Sequence, residues 1–502
     1  MARAAIWLGL ACGTVSCSGA TVTNPAAGGG AAGAPVQTAG KSSSDGGTVA
    51  NAAGPTGSMS AGAGGSSAGK GGASDAGSGG ALVAGAGGAE VFTGVLANAP
   101  APGAAWNLPG GDSLNSTPPV LARLGDGVVM GGATTDPKLA GVDAFGPGIV
   151  SEAFLAGLDH DGKALWHRPL LPAGLPNAVA VTATQDIVVV APYLPDETTV
   201  STYLSSDSVY LGKFTANGTP VFEKELKFDS GTRLYALAVD GDGGIWLAGA
   251  QTAEFPNESM VLAKYDSSGT EQFVHLFPHN GSTCYVTSLS VNAQGDVAAV
   301  GTFNSSFDLG GGALTTQAVL GQDPMPNGFV ARFNNAGQHV WSQRFGGPIY
   351  DLGNAVAWLP DGDLALAGLV SGAATVGGKT VAAEETHGQA FVARLDGTGK
   401  TRWLELADGT ARAFAVEAAA GPLHVAGSFS PSDYLHDHDA ATGQLSRAAK
   451  AVSGAPDATA VAFDGSGSLW LAGSYMDSAD FGSQNQLSAA SGVFLLRLDR
   501  AP

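Results

Sequence analysis

The sequence predicts an all-β protein, a seven-bladed β-propeller of four-stranded blades, and three observations support this fold class. A turn glycine recurs four residues before a bulky residue or its replacement, each time after a short strand. A hairpin whose second strand is short and apolar recurs seven times. The last copy stops after its third strand, while an outer-type strand without inner partners stands early in the chain.

The first of these elements is a tight turn followed by an outer strand. A turn glycine suits a tight hairpin because it adopts positive φ without steric cost. The bulky residues fall at one equivalent position, so packing between adjacent blades is the preferred interpretation, with a stacking face for sugars or bases as the alternative. The six pairs are Gly162 to Trp166, Gly218 to Phe222, Gly269 to Phe273, Gly337 to Trp341, Gly399 to Trp403, and Gly443 to Arg447.

The second element is the short apolar strand, which is apolar on both faces as expected for a strand between two neighbouring blades. Six of the seven copies end in glycine, and we expect this glycine to let the chain leave the sheet in a conformation that other residues disfavour. The copies run 128–131, 187–191, 245–249, 297–301, 364–368, 423–427 and 469–473, and Ala191 replaces the glycine in the second.

The third element concerns how the propeller ring closes. The final copy provides a third strand at 494–499, and residues 104–108 contain Trp106 at the position typical of an outer strand. We expect these segments to share one blade, with three strands from the C-terminal end and one N-terminal outer strand. Such closure removes two sheet edges. Seven blades of about 57 residues account for the region.

The chain divides into three parts. Residues 1–17 form a signal peptide, residues 18–89 a tether, and residues 90–502 the propeller. The tether consists almost entirely of Gly, Ala, Ser, Thr and Asn, so it cannot bury enough apolar surface to fold and is predicted to be disordered. Its root-mean-square reach is roughly 45 Å. The propeller part is long enough for one large core.

The N-terminus predicts export. Arg3 precedes an apolar stretch at 4–15 that is too short to span a bilayer. The stretch resembles a bacterial lipoprotein signal, which implies lipidation of Cys17 after cleavage at Thr14-Val15-Ser16, with Cys12 as a second candidate. An ordinary secretory signal is the alternative. We therefore expect an exported monomer, lipid-anchored to the bacterial outer membrane or cell surface.

Charge and cysteine content exclude several classes of protein. The net charge is −20 and the pI about 4.6, which argues against nucleic acid and against an anionic membrane surface as partners. Cys284 is the only cysteine after the signal, so the propeller has no internal disulfide. We expect Cys284 to be buried and inert rather than a nucleophile.

The fourth and fifth repeats carry a fuller pattern, in which the segments 301–303, 307–311, 329–333 and 341–347 read GTF, FDLGG, FVARF and WSQRFGG. This pattern is similar to the SBBP-type β-propeller repeat of exported bacterial proteins. The resemblance covers roughly residues 104–499 and implies an envelope-exposed propeller. It carries no catalytic residues over to this chain.

Two constellations suggest metal ions. In the sixth repeat, His436 and His438 share one face of a strand and Asp437 and Asp439 the other. Two imidazoles at this spacing can hold a transition metal with a third ligand, but none can be named, and a decayed, solvent-facing strand is preferred. Aspartate-rich turns such as 159–162 and 240–243 resemble calcium loops, although hairpin turns explain them. No catalytic, cofactor-binding or metal-binding residue is assigned.

The longest insertions indicate where a partner binds. Residues 132–153, 191–208 and 303–328 interrupt the repeats, and we expect them to share one face of the disc. A face of loops without a chemical signature favours a surface-tethered module that recognises an envelope or extracellular protein or glycan. A polysaccharide lyase or hydrolase on a propeller scaffold is the first alternative, and a structural spacer without ligand is the second.

Overall fold

The computed structural model describes residues 119–498, except for 135–137, 140–141, 144–151, 171, 195–205, 255–256, 279–282, 318–324, 417–420, 431 and 483–485. Every regular element of this part is a β-strand, and the strands form seven antiparallel blades, which confirms the predicted all-β propeller. No helix within it has the length and apolarity that crossing a bilayer demands.

The strands follow one another from the inner to the outer edge of each blade. Blade 1 contains β1 (Val120–Leu124), β2 (Gly127–Thr134), the short pair β3 (Lys138–Leu139) and β4 (Val142–Asp143), β5 (Glu152–Leu158) and β6 (Ala164–Pro169). Blade 2 contains β7 (Ala178–Val181), β8 (Ile187–Pro192), β9 (Ser206–Phe214) and the first half of β10 (Pro220–Val239). Blade 3 contains the second half of β10, β11 (Ile245–Glu254), β12 (Asn257–Tyr265) and β13 (Glu271–Phe277).

The remaining blades repeat this order. Blade 4 contains β14 (Cys284–Val291), β15 (Val297–Phe303), the pair β16 (Ser306–Asp308) and β17 (Ala313–Thr315), β18 (Asn327–Phe333) and β19 (His339–Phe345). Blade 5 contains β20 (Leu352–Trp358), β21 (Leu364–Val370), the pair β22 (Ala373–Val376) and β23 (Lys379–Ala382), β24 (Gln389–Leu395) and β25 (Thr401–Ala407). Blade 6 contains β26 (Gly409–Val416), β27 (Leu423–Phe429), β28 (Asp433–His438) and β29 (Leu445–Lys450). Blade 7 contains β30 (Ser453–Gly454), β31 (Asp457–Phe463), β32 (Leu469–Asp480) and β33 (Gln486–Leu498).

Blade 7 has three long strands within the described residues, where β31, β32 and β33 pair in that order. The predicted fourth strand at 104–108 lies outside the described residues. The propeller ring is nevertheless continuous between the last blade and the first. Trp470 and Leu495 of blade 7 pack with Phe154 of blade 1 in one buried cluster.

The apolar interior is divided among the blades rather than gathered in the single large core expected from chain length. The described residues form seven buried clusters, and each joins two consecutive blades. We call each such interface a seam and name it by its two blades. Because the second strand of a blade is covered by a seam on both faces, it is buried, as in the whole of β15 and in β8 up to Ala191.

The two ends of the blades differ. Within each blade the antiparallel order places the turns after the first and third strands at one end, which we call the turn face. The connections after the second strand and after the fourth strand lie at the opposite end, which we call the loop face. The turns are uniformly short, whereas the second-to-third connections range from 255–256 to 304–326.

A β-bulge interrupts the first strand of most blades and explains the strand-end glycines. The unopposed residues are Tyr235, Thr287, Asn354, Arg412 and Thr459. The bulge brings a carbonyl of the first strand onto the facing glycine, so that a Cβ at Gly301 would lie 1.8 Å from the Tyr285 carbonyl oxygen. Gly301 does not have positive φ, so the predicted unusual conformation is wrong and close approach of backbone is the reason.

The hairpin β16–β17 of the insertion at 303–328 does not lie on a face of the disc. Phe307 and Leu309, on and beside the hairpin β16–β17, are buried in seam 3–4 against Phe329. The hairpin β22–β23 fills seam 4–5 in the same way through Val376. Apolar side chains at alternate positions direct these hairpins into the seams. The prediction that the insertion at 303–328 lines an open face is therefore wrong for the hairpin β16–β17.

Candidate functional site

The aromatic residues of the outer strands lie in the seams, which confirms the preferred interpretation of the repeat. The Trp403 ring of blade 5 packs on Gly443 of blade 6, and the Trp166 ring packs on Gly218 in the same manner. Phe222, Phe273 and Trp341 repeat this contact on Gly269, Gly337 and Gly399. These rings are used to join blades. Trp106, at the equivalent position in the first strand segment, lies outside the described residues.

We call the contact of an outer-strand aromatic ring with the turn glycine of the next blade a lock, and the locks between blades 4 and 5 and between blades 5 and 6 also contain a shared carbonyl. Trp341 Nε1 and Arg332 Nη1 donate to the Gly397 carbonyl of the next blade, at 2.9 and 3.1 Å. Trp403 Nε1 and Arg394 Nη1 donate to the Ala440 carbonyl, at 2.9 and 2.8 Å. One turn carbonyl thus accepts two hydrogen bonds from the preceding blade, one from a ring and one from a cation.

Replacing the turn glycine tests this lock. Gly443 has φ of +80°, and a Cβ there would lie 2.5 Å from the Trp403 ring. Gly362 has φ of +86° with nothing within 4 Å of a Cβ. Both alanine variants incur about 1–2 kcal/mol for the left-handed backbone. We expect Gly443→Ala to lower the free energy of unfolding by about 1–3 kcal/mol more than Gly362→Ala, because only the first overpacks a seam. Urea unfolding measures the difference, and equal losses would contradict the lock.

In the aspartate-rich turns, the aspartate carboxylate accepts hydrogen bonds from backbone N–H groups of the same turn. Asp159 Oδ1 accepts from the N–H groups of Asp161 and Lys163, at 3.0 and 2.9 Å. Asp266 Oδ1 accepts in the same way from the N–H groups of Ser268 and Thr270, and also from the Ser268 hydroxyl. These hydrogen bonds hold the pKa of Asp266 below its ordinary value. These contacts are Asx-turns, which supports the hairpin explanation. Within the described ranges, no three His, Cys, Asp or Glu side chains form a group suited to a metal ion.

Blade 6 carries an acidic residue at a third-strand position where blades 4 and 5 carry arginine. Where blades 4 and 5 have Arg332 and Arg394 on the third strand, blade 6 has Asp437. Asp437 is buried and accepts hydrogen bonds from His424 Nδ1 and Arg447 Nε, each at 2.6 Å. Arg447, which replaces the outer aromatic, therefore pairs within its own blade. The prediction of a decayed, solvent-facing strand is wrong, since β28 is buried almost throughout.

His436 and His438 lie side by side on the other face of β28, toward seam 5–6. Both pair across to β27 at positions whose side chains face blade 5. His436 stacks on Phe429 with 3.8 Å between ring centroids, and His438 lies parallel to Trp403 at 6.4 Å. Burial lowers the pKa of both imidazoles, so the neutral form is favoured at pH 7.

A buried polar group at the loop face of blades 4 and 5 escaped the sequence analysis. Asp351 is fully buried, and its Oδ2 accepts from Gly347 N at 2.8 Å and Asn327 Nδ2 at 2.9 Å. Its Oδ1 accepts from Ser371 N at 3.0 Å. Arg344 Nη1 donates to Asn327 Oδ1 at 3.0 Å and completes the group. We call these five residues the knot.

The knot shapes two neighbouring connections. Asp351 N donates to the Pro326 carbonyl at 2.9 Å, and Asn327 Nδ2 donates to the Gly347 carbonyl at 2.8 Å. Burial raises the pKa of Asp351 to about 6, against the opposing effect of the hydrogen bonds and of Arg344. The sequence contains one indication of this group, because the segment WSQRFGG ends in Gly346 and Gly347 and Asp351 follows shortly after.

Apolar side chains stand above the knot on the loop face. Residues 325–327 and 346–351 form a surface that we call the ledge. Met325 is 41% exposed, and Ile349 and Tyr350 are half-buried. Ser371 Oγ donates to the Tyr350 carbonyl at 2.8 Å and fixes the backbone there. The ledge is therefore an apolar surface on a backbone held in place from below.

Cys284 is fully buried at the start of β14, as predicted. Burial raises the pKa of its thiol, and the nearby carboxylate of Glu258 adds to the rise.

In a chain with Cys12→Ser and Cys17→Ser, we expect the native protein to leave a thiol reagent unreacted for hours and the urea-unfolded protein to react fully. A third chain with Ala373→Cys, at an exposed position, should react at once. Rapid native reaction of Cys284 would contradict its burial. Cys12 and Cys17 themselves lie outside the described residues.

Comparison with known proteins identifies no family for this chain. The sequence matches no family model, and no curated protein matches it. A streptogramin B lyase structure is 12% identical with a TM-score of 0.41, covering 78% of this chain and 96% of its own. The Neurospora crassa Pan2 WD40 domain is 11% identical with a TM-score of 0.44, covering 77% and 90%. BamB from Moraxella catarrhalis is 14% identical with a TM-score of 0.35, covering 76% and 84%. At these values the likeness concerns the fold alone.

Proposed function

We propose that this chain is an exported propeller of the SBBP-repeat type that recognises an envelope or extracellular protein or glycan. The observation that carries the proposal is the ledge. Met325, Ile349 and Tyr350 place apolar and aromatic surface at the loop face, where contact with a partner buries it. The knot holds the ledge in one conformation, so that little ordering is needed on binding.

Several polar groups elsewhere in the described chain serve the fold itself. The Asx-turns bind their own backbone, and Arg332 and Arg394 are committed to the locks between blades. Recognition through a fixed surface therefore fits the geometry better than turnover. An aromatic ring such as Tyr350 suits either a protein side chain or the apolar face of a sugar.

The anchor is a separate part of the proposal. The sequence 14–17 places Cys17 where lipoprotein signals carry the lipidated cysteine, and the following Gly-rich segment provides reach from the membrane. We expect labelled palmitate to enter the wild-type chain and the Cys12→Ala chain when they are expressed in the native host. Cys17→Ala should abolish the label. Labelling that follows Cys12 instead would move the anchor to that residue.

Recognition is tested with the full chain, made soluble by Cys12→Ser and Cys17→Ser, as bait on the native envelope extract. The double variant Met325→Ser/Ile349→Ser alters the ledge. Leu165→Ser is the matched control, because Leu165 is 65% exposed on the outer strand of blade 1, away from the ledge. We expect one protein or glycan to be retained by the wild type and the control and lost by the ledge variant.

Other outcomes separate the alternatives. Retention that is unchanged in the ledge variant would place the binding surface elsewhere on the propeller and contradict the ledge. A retained polysaccharide that becomes shorter on incubation would favour the lyase or hydrolase alternative. Retention of nothing, with the bait shown to be folded, would favour the spacer.

A further inference from the structure

Two histidines occupy positions that are apolar in the neighbouring blades. His438 takes the place of Leu395 in blade 5 and Phe333 in blade 4, immediately before the turn residue of the third strand. His436 takes the place of Ala393. Their exposed fractions are 5% for His436 and 3% for His438, as low as those of core residues. Imidazoles in such positions require polar partners, since burying an unpaired polar group is unfavourable.

Each imidazole has one such partner, and this fixes its tautomer. His438 Nδ1 lies 3.0 Å from the Gly443 carbonyl oxygen, which only accepts, so Nδ1 carries the proton. His436 Nε2 lies 3.3 Å from Asp433 Oδ2, and the carboxylate likewise accepts from a protonated Nε2. The other nitrogens, His438 Nε2 and His436 Nδ1, therefore carry lone pairs.

Both lone pairs are buried, and both rings lie on one face of β28. Neither His438 Nε2 nor His436 Nδ1 has a hydrogen-bond partner among the described residues. Phe429 and Trp403 cover the faces of the two rings, so only the ring edges are open to a ligand. Two buried Lewis bases on one side of a strand, with no donor to meet them, are suited to a shared electrophile.

The spacing of the rings suits one metal ion. With metal–nitrogen distances of about 2.0–2.1 Å, each ring centroid lies about 3.2 Å from the ion, so the two centroids are about 4.5 Å apart at a right angle between the ligands and about 6.4 Å apart at a straight angle. The centroids of His436 and His438 are 6.0 Å apart. Metal-binding histidines commonly donate their other N–H to a carboxylate or a backbone carbonyl, and Asp433 and Gly443 provide these two acceptors.

We propose that His436 Nδ1 and His438 Nε2 bind one transition-metal ion of the copper and zinc class in seam 5–6. Imidazole ligands favour these ions over Ca²⁺ and Mg²⁺, which prefer oxygen. No third His, Cys, Asp or Glu completes the set within the described ranges, so water or an external ligand fills the remaining positions. This inference is independent of the ledge and of the proposed function.

The test is titration of the full chain with Cu²⁺, followed by electron paramagnetic resonance. We expect one bound ion whose spectrum shows hyperfine splitting from two imidazole nitrogens. The double variant His436→Ala/His438→Leu installs the residues of blade 5 and should weaken Cu²⁺ binding at this site at least tenfold. His387→Gln is the matched control, because His387 is an exposed histidine, and it should leave the affinity unchanged.

Two results would overturn the proposal. The first is a wild-type spectrum without two coupled imidazole nitrogens, which needs no variant and so does not depend on variant folding. The second is unchanged Cu²⁺ affinity and spectrum in a double variant that retains the wild-type circular dichroism. Zn²⁺ should compete with Cu²⁺ for the same site, with weaker affinity in keeping with the usual order of divalent metals.

Discussion

Trp106→Ala is expected to lower the free energy of unfolding by about 3–5 kcal/mol, the usual loss for truncating a packed tryptophan. The physical reason lies in seam 7–1. Arg497 Nη1 donates to the His160 carbonyl, as Arg332 and Arg394 do to the turn carbonyls of the blades that follow them. In those locks the same carbonyl also accepts from an outer-strand tryptophan. Residues 104–108 contain the tryptophan that would complete the lock on His160 and Gly162.

Truncation provides the matching experiment. A chain lacking residues 1–89 should unfold at the same urea concentration as the full chain, whereas a chain lacking residues 1–109 should lose at least as much stability as Trp106→Ala. Trp106→Phe should lose less, because it removes the indole N–H donor and keeps most of the packing. Asn107→Ala, on the opposite face of the predicted strand, serves as the control. Equal stability of the two truncated chains would refute closure by this segment.

Asp351→Ala is expected to cost about 3–5 kcal/mol, as for removal of one member of a buried polar network. The substitution leaves Gly347 N, Ser371 N and Asn327 Nδ2 without their shared acceptor. Each buried donor without a partner costs about 1–3 kcal/mol. Urea unfolding measures the loss. Asp242→Ala is the control, since Asp242 is exposed in a turn.

The knot also predicts a pH dependence. Asp351 has a pKa of about 6 in the folded protein, above its ordinary value of 3.8, because burial disfavours its charge. Between pH 4 and 6 the folded state holds a proton that the unfolded state has released, so this group's contribution to stability falls as pH rises toward 6 and is constant above. The change is on the order of 3 kcal/mol. Asp351→Asn should remove this slope between pH 4.5 and 7.5, and an unchanged slope would contradict the raised pKa.

Features that depend on local, repeated chemistry were predictable from sequence. The spacing from the turn glycine to the outer-strand residue predicts a turn and an outer strand in blades 1 to 6, and repetition of the ring position indicates packing rather than binding. Gly443 and Trp403 confirm this, since the contact between them recurs around the propeller. The blade count follows from the same repetition, because each blade must bury its second strand between two neighbours.

Features that depend on a partner distant in sequence were not predictable. Glycine is required at position 301 because a bulge brings a carbonyl of the neighbouring strand close to it. Nothing in the local sequence indicates that bulge. Asn327 and Asp351 join only because two connections meet at the loop face. The polar residues of β28 led to a prediction of solvent exposure, whereas the strand is buried. The alternation of side chains along a strand does not indicate that both of its faces are covered by other parts of the protein.

The contact between Arg497 and His160 joins residues 337 positions apart. At a synthesis rate of about 5–20 residues per second, blade 1 waits roughly 20–70 s on the ribosome before its last neighbour has been made. During that interval Phe154 and Met130 have no blade 7 to cover them. The newly made chain therefore exposes an apolar surface at its leading end for longer than most small domains take to fold. A chaperone that binds such a surface should act earliest and longest on blade 1.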